Sequence, residues 1–344
     1  MTVGENSSVS APVPLAVILP VRNAMHSVGA AVDSVRAQRW PHWQLILVDD
    51  GSTDDSLTFA RSAAGNDPRI RILERPAHGL VPALNAGLAA VAEPCQYVAR
   101  MDADDRMHPD RLGCQVRFLD AHPAITVASS HVVLEPATSG MGRYVHWLNS
   151  LVTWADIERH LYVESPVCHP GVVLRRSALA AVNGYRDLAW PEDYDLWLRL
   201  CAAGARIAQA PGAQHVWCDS PGRLTRTDPR YGSDRFFALK AHFLAKRGPK
   251  RVSIWGAGRD GRRLARALEN EGVAIHTFID IDPRKIGGVR RGTVPVIGPD
   301  ALPGPGADEP IIITAVGVPG ARDEIRADLR ARGYEELRDF VCAA

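Results

Sequence analysis

The sequence predicts an α/β protein of two units, each built around a largely parallel sheet. Apolar runs at Leu15–Pro20 and Gln44–Val48 predict buried parallel strands, and apolar residues at helical spacing follow each of them. The same order of strand and helix begins again at Arg251–Trp255. With 344 residues and 46% hydrophobic content, the chain can bury a sizeable core, and its length suggests about two domains. We therefore predict a doubly wound, mostly parallel sheet in residues 1–247 and a small α/β unit in residues 250–344.

Helices are predicted wherever apolar residues recur at three- and four-residue spacing. In the first unit, the sets are Val28, Ala31, Val32 and Val35; Leu57, Ala60, Ala63 and Ala64; Leu112, Val116 and Leu119 after a start at Pro109; and Tyr194, Trp197, Leu198 and Cys201 after a start at Pro191. A further helix is expected over Ser233–Ala245. The second unit is predicted to hold a helix with Leu264, Ala265 and Leu268 that stops near Gly272, strands at Ile275–Asp280 and Ile311–Val316, and a closing helix at Pro319–Arg332.

Two carboxylates follow the predicted strand at Tyr97–Ala99. Because strand residues alternate between faces, Asp102 and Asp104 can point the same way from the end of this strand. Two such carboxylates repel each other unless a positive charge lies between them, and a hard divalent cation such as Mn²⁺ or Mg²⁺ is the natural occupant. Asp50 ends another parallel strand and should lie at the same sheet edge, where ligands bind. For an isolated D-x-D motif, a solvated acidic turn is the alternative.

Six short stretches occur in one order over roughly residues 13–245. They are Val17–Asn23, Val48–Asp54, Leu84–Leu88, Ala99–Asp105, His169–Val172 and Glu192–Arg199. Together they resemble the family 2 glycosyltransferases of the GT-A fold, especially the bacterial enzymes that build surface polysaccharides. The resemblance implies a GT-A-type sheet and an inverting, metal-dependent transfer. The sugar would pass from a nucleotide-sugar donor to a hydroxyl group of a saccharide or lipid-linked acceptor.

The resemblance also implies roles for individual residues. Those expected to line the nucleotide are Pro20, Val21, Asn23 and Asp50, with Asp102 facing the ribose or the metal shell and Asp104 binding the metal. Asp193 would be the general base, and His169 would lie on a loop that lines the site. Two other interpretations come from local structure: Asp105 could cap the helix near Pro109, and Glu192 and Asp193 could merely complement a helix dipole.

A cluster of arginines downstream of the predicted base is a candidate for contact with the donor phosphates. Its members are Arg223, Arg226 and Arg230, of which we assign Arg223 and Arg226 to the donor site. Many members of the resembled family carry a histidine on a loop here, whereas this chain has Val216–Pro221. Three possibilities therefore stay open for a third metal ligand: Asp219, His215, or no further protein residue.

The second unit carries the glycine pattern of a dinucleotide-binding loop. Gly256, Gly258 and Gly261 lie between a predicted strand and helix, and Asp280 ends the next strand, where an acidic residue would bind a ribose hydroxyl. The unit resembles small Rossmann-like domains appended to sugar-modifying enzymes, which implies no specific ligand. Nucleotide binding and a structural or oligomerising role both stay open. We expect the chain to part at Lys246–Lys250, so that residues 1 to about 247 fold and bind donor alone.

Composition and charge predict the cellular compartment of the protein and the partners that it does not bind. A net charge of +1 gives no field to attract nucleic acid or an anionic membrane, and six cysteines without a C-x-x-C spacing are typical of a reduced cytosolic protein. The first 14 residues lack the pattern of a signal peptide, and no apolar run approaches the ~20 residues of a membrane span. We expect a cytoplasmic protein, with peripheral contact at the inner membrane face left open.

Two other functions compete with glycosyl transfer. A nucleotidyltransferase would need a glycine-rich loop after the first strand, where this chain has Pro20–Ala24. A non-catalytic nucleotide-sugar sensor would tolerate loss of the base or the metal ligand, yet Asp104 and Asp193 are both present. For the second unit alone, an oxidoreductase is disfavoured because the chain has no Tyr-x-x-x-Lys pair.

Overall fold

A computed structural model describes residues 15–136, 139–220, 222–306 and 309–344. Residues 1–14, for which the sequence predicts no signal peptide, lie outside the described residues, as do residues 137–138, 221 and 307–308. The structure forms two compact units that interleave along the chain. The first comprises the described residues up to 150 with 167–185 and 202–219, and the second comprises 151–166, 186–201 and the rest from 220 to 344.

The first unit contains an eight-stranded sheet in the order β3-β2-β1-β4-β7-β6-β8-β5. Its strands are β1 (Leu15–Val21), β2 (Trp43–Asp50), β3 (Ile70–Arg75), β4 (Tyr97–Arg100), β5 (Arg106–Met107), β6 (Val127–Glu135), β7 (Val173–Arg175) and β8 (Ile207–Cys218). The pairs from β3 through β4, and the pair of β6 with β8, are parallel, whereas β7 and β5 pair antiparallel. Since β1 lies between β2 and β4, the ends of those three strands meet at one edge of the sheet.

Most of the helices confirm the predicted periodicity. Their bounds are α1 (Val28–Arg36), α2 (Ser56–Ala64), α3 (Leu80–Ala89), α4 (Arg111–Ala121), α5 (Ser139–Ser150), α6 (Trp154–His160), α7 (Arg176–Ala181), α8 (Glu192–Ala202), α9 (Leu224–Thr227), α10 (Ser233–Ala245), α11 (Arg259–Asn270) and α12 (Ala321–Ala331). The predicted start of α4 at Pro109 is wrong by two residues, because Arg111 N donates to His108 O in a preceding turn. Asp110, not Asp105, holds the N-cap position of that helix.

Close packing of α3 on β1 explains one of the sequence motifs of the first unit. A Cβ atom on Gly87 would lie 2.6 Å from Ile18 Cγ2 and 3.3 Å from Val48 Cγ2. A glycine at this position therefore lets the helix approach the two strands that carry the candidate nucleotide site.

The second unit contains a six-stranded sheet in the order β11-β12-β10-β9-β13-β14. Its strands are β9 (Arg251–Trp255), β10 (Ala274–Ile279), β11 (Val289–Arg290), β12 (Val294–Ile297), β13 (Ile311–Thr314) and β14 (Phe340–Cys342). All pairs from β12 to β14 are parallel, and only the edge strand β11 is antiparallel. A second, largely parallel sheet is therefore present, as predicted. The predicted strands at Ile275–Asp280 and Ile311–Val316 run one to two residues too far at their carboxyl ends.

The second unit includes residues from both sides of position 247. Within it, Arg247 donates to Leu337 O at 2.6 Å, and Arg326 Nη1 lies 3.1 Å from His160 Nε2. That the chain separates near residue 247 stays a prediction. None of the helices in the described part of the chain is long and apolar enough to cross a membrane.

Candidate active site

Three carboxylates converge just beyond the end of β4. One oxygen from each of Asp102, Asp104 and Asp105 lies within 4.8 Å of the others. Asp102 Oδ1 accepts from Arg100 Nη2 at 2.7 Å, and the Arg100 side chain is buried. Carboxylate oxygens at this separation suit a hard divalent cation, which takes oxygen ligands from proteins. The donor set therefore fits Mn²⁺ or Mg²⁺, as the D-x-D spacing predicts.

Asp105 belongs to a buried polar network that the sequence did not reveal. Its Oδ1 accepts from Cys218 N, and its Oδ2 lies 2.9 Å from His215 Nε2. The other ring nitrogen of His215 lies 3.0 Å from Arg111 Nη1. Because a guanidinium only donates, His215 accepts at Nδ1 and donates from Nε2 to Asp105. His215 is thereby fixed inside the unit, which does not fit its suggested role as a metal ligand.

Arg111 completes this network beneath the acidic motif. It is fully buried and donates to Arg100 O at 3.0 Å and Val172 O at 3.3 Å, and burial lowers the pKa of Arg111 to about 10. In the sequence, the burial of Arg111 was signalled by a charged residue beside Leu112, on the predicted apolar face of α4. The arginine ties the ends of β4 and of the segment before β7 to α4.

Removal of the Arg111 side chain is expected to destabilise the fold. Arg111→Ala takes a donor from His215 Nδ1, Arg100 O and Val172 O, of which Val172 O keeps Arg100 N, and each buried acceptor left unsatisfied typically costs ~1–3 kcal/mol. Urea unfolding followed by tryptophan fluorescence measures the change. Arg117→Ala, on the exposed face of the same helix, is the matched control and should change the free energy of unfolding by about 0.5 kcal/mol or less. Equal stability of the two variants would contradict the structural role of Arg111.

The predicted nucleotide-lining residues gather at the ends of β1 and β2. Asp50 Oδ1 and Oδ2 accept from His78 N at 3.0 Å and Gly79 N at 2.7 Å. Asn23, at φ 50°, accepts from Thr53 N with its side chain, which joins the loops after the two strands. Pro20 and Val21 form the buried end of β1. Asp49, which directly precedes Asp50, has a buried Oδ1 with no partner among the described residues, so it can also accept a hydrogen bond from an N–H of the nucleotide ring.

His169 lies in the same unit, in a 3₁₀ turn before β7. Its Nε2 lies 2.8 Å from Tyr185 Oη. Burial, with the nearby Arg100 guanidinium, holds the pKa of His169 well below its usual value despite the opposing charge of Asp102. A neutral imidazole beside the acidic motif shapes the site without adding charge to it.

In the second unit, Asp193 lies in the first turn of α8, as predicted. Ser165 Oγ donates to Asp193 Oδ2 at 3.3 Å. The side chain keeps partial solvent contact, yet the protein packed around it raises the pKa of Asp193 to about 7, with a further rise from Glu192 and a smaller one from Glu164. The hydrogen bonds from Tyr194 N and Ser165 lower it. A carboxyl group that titrates near neutral pH can take a proton there, whereas one that only complements a helix dipole would have a lowered pKa.

The residues around Asp193 also form hydrogen bonds and ion pairs. Both carboxylate oxygens of Glu192 accept from Tyr231 Oη, at 3.0 and 2.8 Å. Arg230, one of the predicted arginine cluster, lies 3.1 Å from Asp228 and 3.9 Å from Glu192, so this arginine faces carboxylates. Arg223 is the N-cap residue of α9, and Arg226 donates to Ser220 O. The contact of Arg223 and Arg226 with phosphate stays a prediction.

Asp195 is a second residue that sequence reasoning missed. It is fully buried and accepts from Arg186 Nε at 3.0 Å, Trp190 Nε1 at 3.2 Å and Arg199 Nε at 2.7 Å. These bonds hold the segment before α8 against the helix. The spacing of Asp195 and Arg199, four residues apart on one helix, was the available signal.

The glycine loop of the second unit has a largely structural explanation. A Cβ on Gly256 would lie 2.8 Å from Ala315 O, and one on Gly261 would lie 1.8 Å from Gly256 O, so both glycines are required by packing. Asp280 accepts from Ala257 N and from Lys285 Nζ, both at 2.9 Å. At Gly258, a Cβ would meet no atom within 4 Å. A ligand site at this loop therefore depends on Gly258 and stays a prediction.

Comparisons with known sequences agree with these features. A profile described as Glycosyl transferase family 2 matches residues 16–182. The chain is 30% identical over 202 residues to EpsE of Bacillus subtilis (strain 168), which carries a glycosyltransferase name; the match covers 56% of this chain and 68% of EpsE. It is 32% identical over 184 residues to the amylovoran biosynthesis glycosyltransferase AmsE of Erwinia amylovora, covering 52% of this chain and 66% of AmsE. The chain thus spans about two thirds of the length of each relative.

A solved structure supports the predicted fold class. The mannosyltransferase PcManGT from Pyrobaculum calidifontis, in complex with GDP-Man and Mn²⁺, superposes with a TM-score of 0.50 at 20% identity, over 76% of this chain and 71% of PcManGT. At that identity the likeness concerns the fold alone. The predicted GT-A-type sheet is confirmed.

Proposed function

This chain belongs to glycosyl transferase family 2, and on that premise we propose that it transfers a sugar from a nucleotide-sugar donor to a hydroxyl acceptor with inversion at the anomeric carbon. The proposal depends above all on the position of Asp193 in the first turn of α8, where burial and the neighbouring Glu192 raise the pKa of its carboxyl group to about 7. General base catalysis is most efficient when the pKa of the base lies near the working pH.

The chemistry divides between two sets of residues. As the acceptor hydroxyl forms its bond to the anomeric carbon, the bond from that carbon to the diphosphate breaks, and the hydroxyl proton passes to Asp193. Pro20, Val21, Asn23 and Asp50 would bind the nucleotide, with Asp50 or Asp49 accepting from a ring N–H. Arg223 and Arg226 would contribute positive charge to the phosphates.

Asp104 would hold the divalent cation, with Asp102 in its shell and Asp105 fixing the loop from behind. When bound, such a cation offsets the negative charge that grows on the departing diphosphate. The convergence of the three carboxylates supports this assignment. The Mn²⁺ in the PcManGT complex is consistent with it.

The acceptor is proposed from the relatives. AmsE carries the name of an amylovoran biosynthesis glycosyltransferase, and with the resemblance to enzymes of surface-polysaccharide synthesis this favours a saccharide or a lipid-linked saccharide as the acceptor here. We therefore place the activity in the synthesis of a surface polysaccharide or glycoconjugate.

A screen of donors tests the proposed function. The full chain is mixed with UDP-glucose, UDP-GlcNAc and GDP-mannose, with Mn²⁺ or with EDTA, and its melting temperature is recorded. Ligand binding to the native state should raise that temperature, by an amount that grows with affinity. Release of nucleoside diphosphate by the donor that binds then reports turnover, with water as the acceptor. No shift and no release with any nucleotide sugar would contradict the proposal.

We further propose that the second unit binds a nucleotide at Gly258. In the full chain, Gly258→Val is expected to abolish binding of NAD, UDP or S-adenosylmethionine measured by calorimetry, since a side chain there blocks the approach of a phosphate to the backbone. Gly306→Val, in an exposed loop of the same unit, is the matched control. UDP competes for the donor site as well, so its titration is repeated in the Asp104→Ala background. Absence of binding by the wild type at millimolar ligand would leave a structural role for this loop.

A further inference from the structure

We propose that Ser165 is a positioning residue for the carboxylate of Asp193, and that Lys240 fixes Ser165 by tying its segment to the end of the second sheet. The inference rests on the proposed function, because it takes Asp193 to be the base. It concerns contacts inside the second unit alone.

The first link is the hydrogen bond from Ser165 Oγ to Asp193 Oδ2, at 3.3 Å. Ser165 is buried, and its backbone N–H donates to Glu164 Oε1 at 3.0 Å. With Tyr194 N, the hydroxyl gives the Asp193 carboxylate two donors, which favour its charged form. A carboxylate held by these donors is presented to an acceptor hydroxyl in a fixed direction.

The second link is the buried ammonium group of Lys240, on α10. Its Nζ donates to Val163 O at 2.7 Å and to Ala343 O at 3.0 Å. Burial lowers the pKa of Lys240, and the charge of Glu164 opposes that change. A buried ammonium is costly without acceptors, so each carbonyl is held firmly to the lysine. Val163 lies two residues before Ser165, and the segment that carries the hydroxyl is therefore anchored.

The third link connects Lys240 to the second sheet. Ala343 directly follows β14, and its N–H donates to Thr314 O of β13 at 2.8 Å. β13 pairs in turn with β9, the strand that leads into the glycine loop. The end of the second sheet is thereby joined to the support of the base through two carbonyl groups and one lysine.

A merely structural role and a positioning role differ in one measurable property. If Ser165 only stabilises the fold, its removal lowers the amount of folded protein and leaves the pKa of Asp193 unchanged. If it positions the carboxylate, its removal raises that pKa, because a donor to the charged form is lost. Other groups that act on Asp193 include Glu192 and Glu164, which raise its pKa, the Tyr194 N–H, which lowers it, and the Tyr231 hydroxyl, whose own pKa Asp193 raises.

The test is a pH titration of the Asp193 carboxyl carbon by NMR in the full chain, labelled with ¹³C-aspartate. The signal is assigned by its absence in Asp193→Asn. Ser165→Ala is expected to raise the pKa of Asp193 by about one unit, which corresponds to tenfold tighter binding of the proton. It should also lower kcat for diphosphate release at pH 7 while the donor Kd stays unchanged. Ser233→Ala, in the same unit, is the matched control. An Asp193 pKa in Ser165→Ala equal to that of the wild type overturns the role of Ser165.

The role of Lys240 is tested by a double-mutant cycle. If Lys240→Met releases the segment, the effect of Ser165→Ala on the pKa should be much smaller in that background, and Lys240→Arg, which keeps donors, should restore most of it. If the effects of the two substitutions on the pKa of Asp193 are fully additive, the link between Lys240 and Ser165 is overturned. Should Lys240→Met fail to fold, Ala343→Pro takes its place and tests the third link alone, because it removes the N–H bonded to Thr314 O and keeps the carbonyl bonded to Lys240. Unchanged turnover in Asp193→Asn would remove Asp193 as the base, and absence of nucleotide-sugar binding and diphosphate release would overturn the proposed function, both independently of these titrations.

Discussion

Replacement of Asp193 by asparagine is expected to lower kcat by about 10²–10⁴-fold, the usual contribution of a general base. The amide keeps the shape of the carboxylate but takes no proton at neutral pH, so the donor Kd should change little. Diphosphate release at saturating donor measures kcat, and calorimetry measures donor binding. Asp234→Asn, an exposed acid of the same unit, is the control. A variant with the turnover of the wild type would remove Asp193 from the mechanism.

The same substitution should stabilise the protein at alkaline pH. A carboxyl group with a raised folded-state pKa binds its proton more tightly in the folded state. Its contribution to stability is therefore complete below the unfolded value of 3.8 and is lost as the pH rises through about 7. At 1.36 kcal/mol per pKa unit, this rise corresponds to ~4 kcal/mol, an upper limit because the side chain keeps some solvent contact.

Melting curves from pH 5 to pH 9 measure this effect. The advantage of Asp193→Asn over the wild type should be largest above pH 7 and should shrink as the pH falls. A base that is costly to ionise in the folded protein is an instance of stability given up for activity. A variant less stable than the wild type at pH 8 would contradict the raised pKa.

Periodicity and motif spacing predicted the local structure well, because both depend on neighbours along the chain. The helix Ser233–Ala245 matches in full, and Asp50 and the acidic motif lie at the ends of β2 and β4, as parallel strands require. His215 and Arg111 illustrate what could not be predicted. They are 104 residues apart, and nothing in either local sequence indicates that the two side chains meet in a buried network.

The extent of the second unit shows the same limit of sequence reasoning. Periodicity indicates that a helix has a buried face but does not identify the partner of that face. Helices α6, α8 and α10 precede residue 247, yet they belong to the unit that holds the second sheet. Separation of the chain at this point would also leave Lys240 without the carbonyl of Ala343. The composition of Lys246–Lys250 does not indicate the hydrogen bond between Lys240 and Ala343.

Asp104→Ala is expected to abolish the effect of Mn²⁺ on donor binding. Loss of residues that only support a metal ligand typically costs 10–100-fold in metal affinity, so loss of a direct ligand should weaken donor binding in Mn²⁺ by at least about 100-fold. In EDTA, the variant and the wild type should bind the donor equally, because the carboxylate acts through the ion. Calorimetry with the donor found in the screen measures both. Equal affinity of the wild type with and without Mn²⁺ would exclude a metal role for Asp104.

Asp105, the acid next to Asp104, provides a control that distinguishes a metal ligand from a residue that only supports the loop. Asp105→Asn should lower the free energy of unfolding, because the amide has no charge to offer His215 and the Cys218 N–H in the buried network. Asp104→Ala should leave that free energy within about 0.5 kcal/mol of the wild type, since substitutions of partly exposed side chains usually have small effects on stability. The two carboxylates are adjacent in sequence, so a general disturbance of the loop would affect both properties in both variants. Loss of the Mn²⁺ effect without loss of stability, in Asp104→Ala alone, identifies Asp104 as the ligand.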